Sequence, residues 1–127
     1  MRDFLAVALG GMLGSVARHA VNQGFLRLWP TAGWPLATLT VNVAGCFLAG
    51  VFVASLRRWP SFDAAWDMAV RVGFLGGLTT FSSFGLEVVR LGQSGKTLTA
   101  ILVVCLNVAL GLLAVWAGEL VFRWLSR

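Results

Sequence analysis

The longest stretches of this chain without a charged side chain are residues 28–56, 29 positions, and residues 97–118, 22 positions. A helix needs about 20 residues to cross ~30 Å of hydrocarbon at ~1.5 Å per residue. These stretches therefore predict membrane-spanning helices near 34–56 and 97–123. Two shorter apolar runs lie between Asp3 and Arg18 and between Arg71 and Glu87, 14 and 15 uncharged residues long. Each reaches spanning length only if one ionisable residue sits in the membrane, which predicts helices near 4–28 and 67–92. The pattern reads as an all-α membrane protein with four transmembrane helices in a single domain over 1–127. A cleavable secretory signal competes for the first segment, with Ser15-Val16-Ala17 as its cleavage site. Asp3 in the leading region and the loss of apolar mass on cleavage favour an uncleaved span.

Composition agrees. Residues AVILMFWYC make up 58%, glycine adds 15 positions, and charged residues only 12%. A soluble domain of this size exposes much of its surface and needs polar side chains to cover it. Disorder is excluded because disordered chains are poor in apolar residues. The net charge of +5 comes from ten scattered Lys and Arg, with only Arg57 and Arg58 adjacent. No basic-aromatic motif points to nucleic acid, and no nucleic-acid partner is expected. Five tryptophans, Trp29, Trp34, Trp59, Trp66 and Trp124, fall where the spans should end, as in an interfacial belt.

The predicted loops are short: Pro30-Thr31-Ala32-Gly33, then 58–63, then Gln93-Ser94-Gly95. They leave no room for an extramembrane catalytic domain, so no enzyme is expected and the function belongs inside the bilayer. The face with both termini carries Arg2, Arg57, Arg58, Arg71, Arg123 and Arg127, against Arg27, Arg90 and Lys96 opposite. This favours cytoplasmic termini by a small margin.

Polar groups are costly in hydrocarbon, so their placement is informative. Asn42 lies about eight residues into the second helix and Asn107 about ten into the fourth, at ~12–15 Å depth. The run Thr79-Thr80-Phe81-Ser82-Ser83-Phe84 reaches a similar level in the third. Thr38, Asn42, Gly45 and Ala49 form one face of the second helix; Ala100, Asn107, Gly111, Ala114 and Gly118 form one of the fourth. Such stripes suit either a packing seam or a permeation path. Gly10/Gly14 and Gly73/Gly77 are G-x-x-x-G pairs, a helix-contact pattern, and four thin helices leave little room for a pore in one copy, which favours a dimer. Gly73, Gly76, Gly77, Thr79, Thr80, Ser82 and Ser83 crowd the third helix with weak helix formers. Either an intact packing helix or a mid-membrane break accommodates them, and a break would free carbonyls able to hold a cation.

Phe81 and Phe84 share a face beside the hydroxyls of Thr80 and Ser83. Aromatic edges are positive and, with hydroxyl and amide donors, can replace an anion's hydration. Arg18, deep in the first helix, suits either an ion pair with Glu87 or a positive potential at a vestibule. His19 is expected at the interface or packed. Cys46 and Cys105 sit in apolar runs and are expected to pack as small hydrophobes.

Four segments carry a resemblance to a known family: Gly10-Gly11-Met12-Leu13-Gly14-Ser15-Val16-Ala17-Arg18-His19; Thr38-Leu39-Thr40-Val41-Asn42-Val43-Ala44-Gly45; Gly73-Phe74-Leu75-Gly76-Gly77-Leu78-Thr79-Thr80-Phe81-Ser82-Ser83-Phe84; and Asn107 with Gly111. Over nearly its whole length the sequence resembles the Fluc (CrcB-like) family of bacterial fluoride channels. The resemblance implies an antiparallel, dual-topology homodimer in the bacterial cytoplasmic (inner) membrane, with two pores for passive fluoride efflux. It implies that Phe81 and Phe84 present ring edges to fluoride, that Asn42 lines the path, and that Thr80, Ser83 and Asn107 supply further donors. It also implies a third helix broken near mid-membrane, holding a structural Na+ at the dimer interface through the backbone carbonyls of Gly76 and Thr79. Arg18 matches the family's first-helix arginine near the aqueous entrance. The chain departs from the pattern at Ser15 and His19, contains no tyrosine, and has no hydroxyl at Gly111.

Two other classes compete. A small multidrug-resistance-type proton-coupled exchanger has the same size and layout, but resembles a chain with a titrating carboxylate midway along the first helix, where this one has only Asp3 at the end. A non-transporting assembly subunit would not require Asn42 and the phenylalanine pair to share a level.

Overall fold

The computed structural model describes residues 1–30 and 34–127, so residues 31–33 of the first expected loop lie outside the described residues. Among the described residues, five helices build four spans. Helix α1 covers Arg2–Leu28, α2 Leu36–Arg58, α3 residues 64–78, α4 Phe81–Gln93 and α5 Thr97–Leu125. The third span is α3 and α4 in succession, interrupted at Thr79–Thr80. All four spans are long and apolar enough to cross a membrane, and no strand occurs among the described residues. The helices outrun the expected bounds by one to three residues at several ends, because charged terminal residues such as Arg2, Arg57 and Arg58 continue the helices past their apolar limits.

Local chemistry sets the ends. Asp63 caps α3, its carboxylate accepting from the backbone N–H of Ala65 at 2.9 Å and of Trp66 at 3.4 Å. Within α3 the stretch Met68–Leu75 is wound as a π-helix. Between α4 and α5, Gly95 takes φ +75°, a conformation that favours glycine. The N–H of Lys96 then reaches the Leu91 carbonyl at 2.9 Å and that of Gly95 reaches Gly92 at 3.1 Å, a Schellman closure.

Two glycine seams hold the helices together. α1 packs on α3, and a Cβ at Gly10 would lie 2.0 Å from the Ala69 carbonyl oxygen, one at Gly14 2.1 Å from that of Phe74. From the other side, Gly73 and Gly77 would meet the Val7 and Gly11 oxygens at 2.7 and 2.6 Å. The two G-x-x-x-G pairs thus face each other, which is the close backbone approach such motifs allow. α2 packs on α5 in the same manner: a Cβ at Gly50 would stand 2.0 Å from the Val115 oxygen, one at Gly118 2.1 Å from that of Phe47.

The interior is small, with Val41, Leu75, Leu78, Phe84, Ala100 and Val103 among the few buried apolar residues. Leu5, Leu9, Leu98, Leu112 and Trp116 point outward. A continuous apolar exterior of this extent suits lipid rather than water as solvent. Charges gather near the helix ends of the face with the termini: Arg57 and Arg123 share Glu119, Arg71 pairs with Asp67 at 2.6 Å, and Arg2 with Asp63 at 3.5 Å.

Candidate functional site: the cleft at the helix break

The break divides the third span between two neighbours. Before it, α3 lies on α1; after it, α4 lies against α5. Thr79 (φ −81°, ψ 155°) and Thr80 (φ −150°, ψ 116°) are extended. Each threonine is stitched in locally. Thr79 Oγ1 donates to the Leu75 carbonyl at 2.9 Å. Thr80 Oγ1 caps α4 by accepting from the Ser83 N–H at 3.1 Å, while its hydroxyl donates to Ser83 Oγ at 3.0 Å and lies 3.3 Å from Ser82 Oγ. Gly45 opens the seat for this linker on α2, since a Cβ there would lie 2.3 Å from the Thr79 methyl carbon.

Asn42 locks the break from outside. Its Oδ1 accepts the Thr80 N–H at 2.9 Å, and its Nδ2 donates to the Thr80 carbonyl at 3.3 Å and to Asn107 Oδ1 at 3.0 Å. Asn107 in turn donates one of its two amide hydrogens to the Val103 carbonyl at 3.1 Å. Two helical bonds are thereby redirected. In a continuous helix the Thr80 N–H would serve the Gly76 carbonyl and the Ser83 N–H that of Thr79. Here both go to side-chain oxygens, so the Gly76 and Thr79 carbonyls are released from helical bonding.

A cleft of about 260 Å³ opens at this point. Of the residues expected at a site, it brings together Asn42, Thr80, Phe81, Phe84 and Asn107. Ser83 does not line it and reaches it only through the Thr80 hydroxyl. The phenylalanine rings stand 5.5 Å apart at 55°, with Phe84 buried and Phe81 84% exposed. The N-terminus of α4 sits at the cleft, and the positive end of its dipole favours an anion there. Cys46, Thr79 and Val108 complete the wall. Asn42 predicts Cys46 by four-residue spacing on one helix face, a signal hidden because a cysteine in an apolar run reads as packing.

Arg18 and Glu87 do not pair. Glu87 accepts the Thr38 hydroxyl at 2.7 Å, its second oxygen is buried without a partner, and Arg18 forms no ion pair among the described residues. The reason is the break: it directs α4 toward α2 and α5, away from α1, which carries Arg18. Of the two readings of Arg18, the ion pair is thus removed. Glu87 instead borders a separate 280 Å³ cavity with Trp34, Arg90 and Lys96 at the end of the third span. Thr38 was legible only as a small polar member of the α2 stripe; its carboxylate partner requires the turn at Thr79–Thr80. No cluster of three His, Cys, Asp or Glu side chains able to hold a metal occurs among the described residues.

The family described as "CrcB-like protein, Camphor Resistance (CrcB)" has a model that matches residues 5–119. Among relatives, the fluoride-specific ion channel FluC of Acidobacterium capsulatum is 42% identical over 118 residues, covering 93% of this chain and 94% of that protein. The protein of the same name from Stutzerimonas stutzeri is 43% identical over 122 residues, with 93% and 94% covered. That of Rhizobium johnstonii is 42% identical over 128 residues, with 99% and 100% covered. With a family match across nearly all of its length and relatives of this identity, the chain belongs to the CrcB-like family.

Proposed function

We propose that this chain is a fluoride channel that lets fluoride leave the cytoplasm passively, and not an enzyme. The observation that carries the reading is the convergence of Asn42, Thr80, Phe81, Phe84 and Asn107 on one mid-span cleft in a chain whose relatives are named fluoride-specific ion channels. The cleft provides donors and positive edges and no carboxylate, which suits a small anion losing its water. The exchanger alternative is not favoured, because the only carboxylate on α1 is Asp3 in its first turn.

The working unit in this proposal is an antiparallel homodimer in the bacterial inner membrane, with two pores. Phe81 supports it: a ring 84% exposed beside a polar cleft is positioned to complete a wall with a second copy. A structural Na+ fits the released carbonyls of Gly76 and Thr79, since hard cations take oxygen ligands and helix breaks present them. Such an ion would fix the break; the path for fluoride is made by the chain's own side chains.

Liposomes loaded with fluoride and containing the purified protein test the reading. Rapid fluoride efflux once charge is compensated, with little chloride efflux and no need of a proton gradient, is the expected result. Absence of fluoride efflux would overturn the proposal, and obligatory proton coupling would replace it with an exchanger.

A further inference from the structure

Asp63 lies near Arg2, Ala69 near Gly10 and Phe74 near Gly14, so α1 and α3 run parallel. Beside their glycine seam they leave a groove of about 630 Å³. Gly10 and Ala69 form its floor, where a Cβ on the glycine would meet the Ala69 carbonyl oxygen at 2.0 Å. Arg2 and Trp66 stand at its mouth, on the face with the termini, and Leu13 and Phe74 at its inner end. From Arg2 to Leu13 the α1 wall rises ~16 Å, about half of the ~30 Å of hydrocarbon. The groove is one leaflet deep.

That depth selects the occupant. A helix from a second copy crosses the whole bilayer and would run on past the inner end, whereas one acyl chain of the adjoining leaflet has this length. The mouth carries the matching polar chemistry. Arg2 is held by a loose ion pair with Asp63 at 3.5 Å and its side chain is 81% exposed, which leaves its fork of N–H donors for an outside acceptor. Trp66 is 65% exposed, and its indole N–H donates to no group among the described residues. A guanidinium and an indole N–H at the hydrocarbon boundary suit the phosphate and ester oxygens of a phospholipid. Asp63 offers little repulsion there, because its carboxylate already caps α3 and faces Arg2.

A second groove, about 760 Å³ between α2 and α5, makes the contrast: no charged residue and no tryptophan line it, so nothing there would hold a headgroup. Nor does the first groove share the cleft where Phe81 awaits a second copy, since no residue of α1 lines that cleft.

We infer that the groove between α1 and α3 is a binding site for one phospholipid per chain, with an acyl chain laid along Gly10 and Ala69 and the phosphate held by Arg2 and Trp66.

Native mass spectrometry of the full-length protein, released from micelles doped with phosphatidylglycerol, tests this. One tightly retained phosphatidylglycerol per chain is expected, with a thermal midpoint that rises as the lipid is added. Ala69→Leu fills the floor and should abolish retention; Ala6→Leu, on the opposite wall, does the same should the first variant fail to fold. Arg2→Gln should weaken retention about tenfold through the lost charge-assisted bond. Inorganic phosphate, which has no chain to lay in the groove, should leave the midpoint unchanged. Equal retention in the unmodified protein and a folded filling variant, no retention in the unmodified protein, or a midpoint raised by phosphate alone would each overturn the inference. So would a disulfide between copies formed by Leu13→Cys in a Cys46→Ala, Cys105→Ala background, because it would assign the groove to a second copy. None of these measurements involves fluoride, so the inference fails or stands apart from the channel reading.

Discussion

The third span makes two contacts of opposite character on either side of Thr79–Thr80. On the α1 side, α3 is held by glycines pressed onto backbone, with Gly10, Gly14, Gly73 and Gly77 interlocked and no side-chain hydrogen bond across the seam among the described residues. On the other side, the linker and α4 meet α2 through hydrogen bonds: Asn42 to Thr80, and Thr38 to Glu87. In lipid there is no hydrophobic force between helices, so association relies on close packing or on polar bonds. This chain uses the first where it needs a rigid frame and the second where it places the cleft. The division teaches that a helix break does more than release carbonyls, because it lets one span belong to two helix pairs.

The glycine seam is the more sensitive of the two contacts to substitution. Gly14→Leu places carbon against a backbone oxygen that would already be 2.1 Å from a Cβ, and neither helix can move without parting the seam. It should cost about 3 kcal/mol or more and remove the monodisperse protein from gel filtration. Retention of a folded, fluoride-conducting protein would show that the seam does not form the frame.

Substitution on the polar side should be milder and local. Asn42→Leu strips the Thr80 N–H of its acceptor, a loss of about 1–3 kcal/mol for a buried amide. Amide exchange at Thr80 should accelerate while Gly10 and Gly14 on the other seam stay protected; uniform acceleration would contradict two separate regions. Phe81→Ile touches neither seam, since the ring is exposed in the single chain. Its expected signature is slower fluoride efflux, about tenfold, with unchanged thermal stability in detergent. Thr38→Val removes the hydroxyl that donates to Glu87 and should lower the melting midpoint by the equivalent of about 1 kcal/mol. The smallest effect belongs to Arg18→Gln: with no ion pair to lose among the described residues, stability should stay within about 0.5 kcal/mol. Any effect on fluoride entry through a positive potential should fade as salt is raised.

Much of this was legible in the residues. The spans were, because length and lack of charge are local properties and hydrocarbon tolerates few exceptions. The glycine pairs were too, since Gly10/Gly14 and Gly73/Gly77 need only a four-residue period to mark a contact face. The break was legible as one of two alternatives: Gly76, Gly77, Thr79 and Thr80 weaken a helix, but weakness alone leaves the chain free to remain helical. Asn42 decided between them, and its bond to Thr80 spans 38 residues of sequence. The fate of Arg18 and Glu87 was not legible, because lying toward the same membrane face says nothing about which helices the break brings into contact.

The residues alone specify the solvent, the number of spans, the glycine contact faces and, through their motifs, the family. Each of these follows from composition or from spacing within one helix. Helix pairing, the bond of Glu87 to Thr38 rather than to Arg18, and the placing of Cys46 opposite Gly111 emerge with the assembled fold. In lipid, burial ranks no partner above another. Partner choice depends on backbone approach and on a few hydrogen bonds between residues far apart in the chain, and those are settled only when the helices meet.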